Sequence, residues 1–173
     1  MKTLVLIRHS KSSYFTDEHN DIDRPLNERG YKDAEMMCDV LKKEKLKIGK
    51  IISSPAVRAI STALIFAHGL KVNYENVAIN KLLYQCGKEK ILEVIKAQED
   101  ELNQMMIVGH NPDFEELLRY LVKEKIEKYP TTGIALVTFN VTKWNDINHQ
   151  KGKLIKLLLP EQFRDDPANQ NKK

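Results

Sequence analysis

Short apolar runs alternate along this chain with segments in which apolar residues recur every three or four positions. The first run, about Thr3 to Arg8, reads TLVLIR, and later runs read VAIN, MMIVG, IALVTFNV and KLIKLLL. Runs of this length suit buried strands, and the periodic segments suit helices with one apolar face. The alternation predicts a single-domain α/β fold of three layers, in which helices flank a mostly parallel central sheet.

Capping residues predict where the helices begin and end. Asn27 is placed to cap the first helix. In KIISSPAVRAISTALIFAHGL, Ser54 is placed to cap a second helix, Pro55 to be its first residue and Gly69 to end it. The stretch MMIVGHNPDFEELLRYLV repeats this design, with His110 at the junction of strand and helix. Two predicted helices therefore begin directly after a strand.

Charge and cysteine content narrow the class of protein. The chain has 173 residues and a formal net charge of +4, and its pI is about 8.9. Acidic residues are mixed among the basic ones and no aromatic-basic stripe occurs, so we do not predict a nucleic-acid partner. Cys38 and Cys86 lie far apart and match no metal-binding spacing, which predicts two reduced thiols and no metal site.

The two ends of the chain predict its organisation. The N-terminal apolar run is too short for a signal peptide or a membrane span, so we expect a cytoplasmic monomer that does not bind membranes. Residues 1–160 are predicted to form the domain. The polar residues 161–173 are predicted to be a frayed tail.

Basic and imidazole side chains stand at three predicted strand ends. Arg8 and His9 follow the first strand, Arg58 falls in the first turn after the second, and His110 follows MMIVG. Ligands of open parallel sheets bind beyond the carboxyl ends of the strands. Helix N-termini at that edge add free N–H groups, and arginine can bond two phosphate oxygens at once. The pattern predicts a pocket for a phosphate group, with Asn111 beside His110 as a further contact.

The two histidines predict the chemistry of that pocket. A neutral imidazole can attack phosphorus directly, so His9 is a candidate nucleophile. Arginines around the phosphoryl oxygens would stabilise the charge of the transition state, and His110 could bond the same oxygens. This chemistry requires no metal.

Four segments of the chain also resemble the signature segments of a known family. In order, LVLIRHSKSS, DRPLNERG, IISSPAVRAISTA and IVGHNPDFEEL are similar to the histidine phosphatase superfamily and, within it, to the SixA group of phosphohistidine phosphatases. The resemblance covers residues 1–160 and implies a phosphoglycerate mutase-like fold. It implies that His9 carries a covalent phosphohistidine intermediate, hydrolysed by water without a cofactor. It implies a phosphate pocket of Arg8, Arg58 and His110.

Two departures from the superfamily pattern bear on the substrate. Ser10 stands where the familiar motif has glycine, which favours the SixA-like branch. Many members supply a carboxylate general acid after the third strand, whereas NKLLYQCGKEK offers Tyr84 and Gln85 there. An alkoxide leaving group needs a proton, but the imidazole of a phosphohistidine can leave already protonated on its other nitrogen. We therefore predict a phosphoramidate substrate on a protein such as a histidine phosphotransfer domain, with inorganic phosphate as the product.

Two residues of the first loop have open interpretations. Asp23 is either a carboxylate that orients an arginine or a water, or a residue that fixes the turn before Pro25. Ser12 either donates to phosphate or caps a helix or turn. Two other functions also remain open, a phosphomonoesterase for a small metabolite and a phosphate-binding module without turnover.

Overall fold

The computed structural model describes residues 1–14 and 20–164. Its strands and α-helices in chain order are β1 (Lys2–Arg8), α1 (Glu28–Lys42), β2 (Lys50–Ser53), α2 (Val57–Leu70), β3 (Val77–Ile79), α3 (Gly87–Lys96), β4 (Gln104–Gly109), α4 (Asp113–Leu121), β5 (Ile134–Phe139) and β6 (Gly152–Leu158). Within that part of the chain, no helix is long and apolar enough to cross a membrane.

The sheet has the strand order β3-β2-β4-β1-β5-β6. Strands β1 to β4 run parallel, whereas β5 and β6 pair antiparallel at one side. The predicted α/β fold with a mostly parallel sheet is therefore confirmed. Because β1, β2 and β4 are parallel neighbours, their carboxyl ends lie at the same edge. Arg8 stands opposite Gly109 there, and Ser53 stands opposite Val108.

Helices cover both faces of the sheet. Alternate residues of β1 point to opposite faces, as a strand requires. Leu4 and Leu6 belong to the core beneath α3 and α4. Val5 and Ile7 belong to the core beneath α1 and α2. Because neither face meets water, all four side chains are fully buried and β1 reads as a continuous apolar run.

Helix α1 supports the loop that follows β1. Its N-cap is Asn27, as predicted, and the Asn27 side chain accepts a hydrogen bond from the Gly30 amide at 2.9 Å. The Asn27 amide donates to the Lys11 carbonyl at 3.0 Å. A Cβ at Gly30 would stand 2.0 Å from that same carbonyl oxygen. The glycine of NERG therefore allows α1 to lie directly against the first loop.

The second helix differs from its predicted bounds. α2 begins two residues after Pro55 and continues one residue beyond Gly69. A Cβ on Gly69 would stand 2.3 Å from the Cys38 sulfur of α1. This glycine therefore permits close packing of α1 on α2 and does not end the helix.

Part of the predicted tail packs against the domain. Pro160–Gln162 form a short 3-10 helix. The Arg164 guanidinium forms two hydrogen bonds with the buried carboxylate of Asp33 on α1, at 2.8 and 3.2 Å. Arg164 is held by this pair, and the frayed tail stays a prediction. Residues 165–173 lie outside the described residues.

Candidate active site

His9 lies immediately after β1, at the carboxyl edge of the sheet, and is 8% exposed. Its Nδ1 is 2.7 Å from the Ser10 carbonyl oxygen. A carbonyl oxygen can only accept, so Nδ1 carries the hydrogen and Nε2 carries the lone pair. Nε2 accepts a hydrogen bond from Arg58 Nε at 3.3 Å. The ring is thus held with its nucleophilic nitrogen facing a guanidinium group.

Arg58 lies in the first turn of α2 and is held from the opposite side by Asp21. Its Nη2 pairs with the Asp21 carboxylate at 2.8 Å, and its Nη1 donates to the Asp21 carbonyl. The Tyr84 hydroxyl donates to the same carboxylate oxygen at 2.7 Å. Asp21 therefore leaves the Nε of this buried arginine directed at His9.

The predicted orienting carboxylate belongs to Asp21 and not to Asp23. Asp23 is exposed, and its carboxylate accepts a hydrogen bond from the Asn20 side chain at 3.3 Å. Both aspartates lie in a single 3-10 turn, Asp21–Asp23, in which neighbours two positions apart point in different directions. The tripeptide Asp21-Ile22-Asp23 indicates a carboxylate in this region. The path of the turn determines which of the two aspartates contacts Arg58.

His110 follows β4 and faces His9, with their ring centroids 4.9 Å apart. Its Nε2 is 2.7 Å from the Ser54 hydroxyl oxygen. Ser54 also accepts a weaker bond from the Ala56 amide at 3.3 Å. The prediction that Ser54 caps α2 is wrong, because the N-cap is Ala56, and the Ser54 hydroxyl is instead the partner of the second histidine. The ring of Tyr84 stands edge-on to His110 at 5.3 Å.

Arg8 and Asn111 share one backbone carbonyl, that of Tyr129. Arg8 Nη1 donates to it at 3.0 Å, and Asn111 Nδ2 donates to it at 2.9 Å. Asn111 Nδ2 also donates to Glu115 at 3.0 Å. Arg8 Nε and Asn111 Oδ1 are buried without a hydrogen-bond partner among the described residues. Each side chain is thus held by one nitrogen and contains one buried polar atom that no described residue satisfies.

Comparison with known proteins finds similarity in sequence and in fold. Residues 4–79 match the family model of the histidine phosphatase superfamily, branch 1. The solved structure of a protein assigned as phosphohistidine phosphatase SixA from Agrobacterium tumefaciens is 27% identical, with a TM-score of 0.77 over 92% of this chain and 99% of that one. Residues 4–79 are thus similar to the histidine phosphatase superfamily, and the whole fold is similar to that of SixA.

Two further relatives extend the likeness over most of the chain. A structure of the protein histidine phosphatase SixA complexed with tungstate has a TM-score of 0.79 and 21% identity, over 92% of this chain and 98% of that one, and shows the same fold. An uncharacterized protein of Mycobacterium leprae is 29% identical over 167 residues, which are 89% of this chain and 99% of that protein. Similarity to this superfamily supports phosphatase activity.

Both histidines of the site are neutral at neutral pH. Burial, reinforced by His110 and the charges of Arg58 and Arg8, lowers the pKa of His9 to about 3. Burial and Arg58 lower the pKa of His110 to about 4. A neutral imidazole retains the lone pair that attack on phosphorus needs. An anionic phosphoryl group would offset the positive charges of Arg58 and Arg8, which act on both rings.

Ser12 lies on the loop that follows β1. It pairs with Leu26 in an isolated β-bridge, and its carbonyl accepts from the Asn27 side chain at 3.1 Å. Both contacts use the Ser12 backbone, so its capping role stays a prediction. Phosphate donation by its hydroxyl stays a prediction.

Sequence reasoning missed several residues that complete the site. Asp21 and Tyr84 bind each other and Arg58, and the Tyr129 carbonyl joins Arg8 to Asn111. Tyr84 stands in the segment in which many superfamily members have a carboxylate general acid. The sequence therefore indicated the segment, but it did not indicate that Tyr84 donates to Asp21. Among residues 1–14 and 20–164, no group of three His, Cys, Asp or Glu side chains is arranged to hold a metal ion.

Proposed function

We propose that this protein is a phosphohistidine phosphatase that removes the phosphoryl group from a histidine of a signalling protein. The observation that carries the proposal is the orientation of His9. Its Nδ1–H is bound to the Ser10 carbonyl, and its Nε2 lone pair faces Arg58. Such a ring is prepared to accept a phosphoryl group on Nε2 while a guanidinium group neutralises the phosphoryl oxygens.

The first step transfers the phosphoryl group to the enzyme. A bond forms between His9 Nε2 and phosphorus, and the bond between phosphorus and the substrate nitrogen breaks. The substrate imidazole leaves as a neutral group if its other nitrogen already carries a proton. Arg8 Nε and Arg58 Nε are the donors available to the phosphoryl oxygens. His9 Nδ1–H remains on the Ser10 carbonyl and stabilises the charge that develops on the ring.

The second step returns the enzyme to its starting state. A water molecule attacks phosphorus, the bond from phosphorus to His9 Nε2 breaks, and inorganic phosphate leaves with the oxygen of that water. His110 lies across from His9 and can bond the phosphoryl oxygens in both steps. The two protons of the water end on phosphate and solvent, so His9 regains the tautomer with its lone pair on Nε2.

The carboxylate of the site favours a phosphoramidate over a phosphate ester. Partial burial raises the pKa of Asp21, but hydrogen bonds from Tyr84 and Arg58 outweigh burial and hold that pKa below its usual range. Asp21 is therefore ionised at neutral pH and holds no proton for a leaving group. An alkoxide leaving group needs that proton, whereas a protonated imidazole does not. This contrast supports phosphohistidine as the substrate and a histidine phosphotransfer domain as the partner.

The test is a rapid-quench assay with a phosphohistidine-bearing phosphotransfer domain, a phosphoserine peptide and an aryl phosphate. We expect acid-labile phosphate to accumulate on the wild type and to be absent from His9→Ala. The matched control is His149→Ala, which removes an exposed histidine outside the site and should behave as the wild type. Phosphate release should be fastest from the phosphohistidine protein.

Two other results would replace the proposal. Faster hydrolysis of the aryl phosphate or phosphoserine than of phosphohistidine would retain His9 as nucleophile and make the enzyme a phosphomonoesterase. Phosphate binding that survives His9→Ala, with no hydrolysis of any of the three substrates by the wild type, would make the protein a binding module.

A further inference from the structure

A connected set of buried hydroxyl groups lies behind His9, on the side away from its Nε2. Ser10, Thr62 and Thr132 are each fully buried. We propose that these three residues are positioning residues, which hold the Ser10 peptide so that His9 keeps its Nε2 lone pair toward the phosphoryl group. The role in catalysis rests on the proposed function, in which His9 is the nucleophile.

The Ser10 peptide is the element that decides the tautomer of His9. Its carbonyl accepts the His9 Nδ1–H at 2.7 Å. If that carbonyl turned away, the ring hydrogen could move to Nε2, and Nε2 would no longer hold a lone pair. The orientation of this carbonyl, together with the Arg58 Nε–H that donates to His9 Nε2, therefore sets which nitrogen of His9 can react.

Thr62 holds that peptide from the α2 side. The Ser10 amide donates to the Thr62 hydroxyl at 3.0 Å, and the Thr62 hydroxyl donates to the Arg58 carbonyl at 2.7 Å. The same hydroxyl thus links the segment that carries His9 to the turn that carries Arg58. The two groups that must meet the phosphoryl group are joined through Thr62.

Thr132 holds the segment from the opposite side. Its hydroxyl donates to the Ser10 hydroxyl at 2.9 Å. Its backbone amide lies 3.0 Å from the Arg8 carbonyl and 3.2 Å from the His9 carbonyl. One threonine therefore binds three consecutive residues, Arg8 at the end of β1 and then His9 and Ser10.

The backbone of Thr132 points to a specific need for its side chain. Its φ is 60°, in the left-handed region that glycine and asparagine occupy more easily than a β-branched residue. Strained conformations of this kind cluster where function depends on them. The Thr132 hydroxyl on Ser10 gives a reason for a threonine at this position. A superfamily member with glycine in place of Ser10 has no such hydroxyl to bind.

The test measures the His9 tautomer by ¹⁵N NMR, and separately the rate of phosphoenzyme formation. The variants are Ser10→Ala, Thr132→Val and Thr132→Ser, with Thr138→Val on β5 as the matched control. Valine keeps the β-branch and removes only the hydroxyl. We expect Thr132→Val to shift the tautomer toward Nε2–H and to slow phosphoenzyme formation about tenfold, as loss of one buried hydrogen bond predicts. Thr132→Ser should restore both values.

A double-mutant cycle tests whether the two hydroxyls act as a pair. Ser10→Ala and Thr132→Val should each slow the reaction about tenfold, and the double variant should also be about tenfold slower, not about a hundredfold. Circular dichroism and melting curves will select variants that are folded.

The readouts separate this inference from the proposed function. A wild-type tautomer in folded Ser10→Ala and Thr132→Val would overturn the positioning role, whatever the activity. A shifted tautomer in these variants, together with a wild type that forms no phosphoenzyme, would support the role of the hydroxyls and overturn the proposed function. An equal shift of the His9 tautomer in Thr138→Val would also overturn the positioning role, because the effect would then not be specific to Ser10, Thr62 and Thr132.

Discussion

The contact between Asp21 and Arg58 gives the sharpest single test of the site. Asp21→Asn retains the size of the side chain and an oxygen that can accept from Tyr84, but it removes the negative charge that binds Arg58. Arg58 would then be free to turn away from His9. We expect both the stability of the folded protein and the rate of phosphoryl transfer to fall.

The size of the effect follows from the burial of the pair. A hydrogen bond to a charged group contributes about 1.5–3 kcal/mol. The Arg58 side chain is 5% exposed but that of Asp21 is 39% exposed, so solvent screens part of the interaction. We expect the free energy of unfolding to fall by about 1–2 kcal/mol. An equal loss of transition-state stabilisation would slow phosphoryl transfer about five- to thirtyfold.

The matched control lies two residues away in the same 3-10 turn. Asp23→Asn removes the same charge from an exposed carboxylate whose partner is the Asn20 side chain. The rate of phosphoenzyme formation, measured by rapid quench, should fall for Asp21→Asn and not for Asp23→Asn. An equal decrease in the two variants would refute the specific role of Asp21 and indicate an effect of net charge alone.

Three further predictions address the histidines and the loop that supports them. Burial holds the pKa of His110 at about 4 in the folded protein, against about 6.5 in the unfolded chain. The folded protein therefore has its full stability from this group above pH 6.5 and loses that contribution as the pH falls toward 4. The loss is on the order of 3 kcal/mol, so melting temperatures of His110→Asn should depend less on pH in this window; an unchanged pH dependence would argue against a buried neutral His110. Gly30→Ala should destabilise the fold by about 3 kcal/mol in urea titrations, because the new Cβ meets the Lys11 carbonyl at 2.0 Å; a neutral effect would mean that α1 can move away from the loop at no cost. Ser54→Ala should slow hydrolysis of the phosphoenzyme about tenfold through the lost partner of His110, and single-turnover decay of the labelled enzyme would measure it.

The sequence pattern at the strand ends predicted which site residues lie close together, because parallel strands repeat the same backbone geometry. Parallel strands end at one edge of a sheet, so the prediction that His9, Arg58 and His110 stand at such ends was sufficient to expect them together. The structure brings them together, with Arg58 Nε 3.3 Å from His9 Nε2. The bounds of α2 were less predictable. Gly69 was predicted to end this helix, but it allows the close packing of α2 on α1.

Residues that act through contacts between distant segments were beyond pattern reasoning. Asp21 and Tyr84 lie 63 positions apart, and Ser10 and Thr132 lie 122 positions apart. A polar residue in a loop has no periodicity that reports its partner. The distinction between Asp21 and Asp23 depends on the path of a single turn, which local propensity does not specify.

The sequence by itself therefore determined the α/β architecture and predicted that Arg8, His9, Arg58 and His110 lie at one edge of the sheet. Hydrophobic periodicity specifies burial, and burial specifies which strands and helices form. Only the tertiary structure decided which carboxylate binds Arg58, which tautomer His9 adopts and what holds the Ser10 peptide. These depend on hydrogen bonds whose partners meet only after the chain has folded, so their geometry is a property of the packed protein.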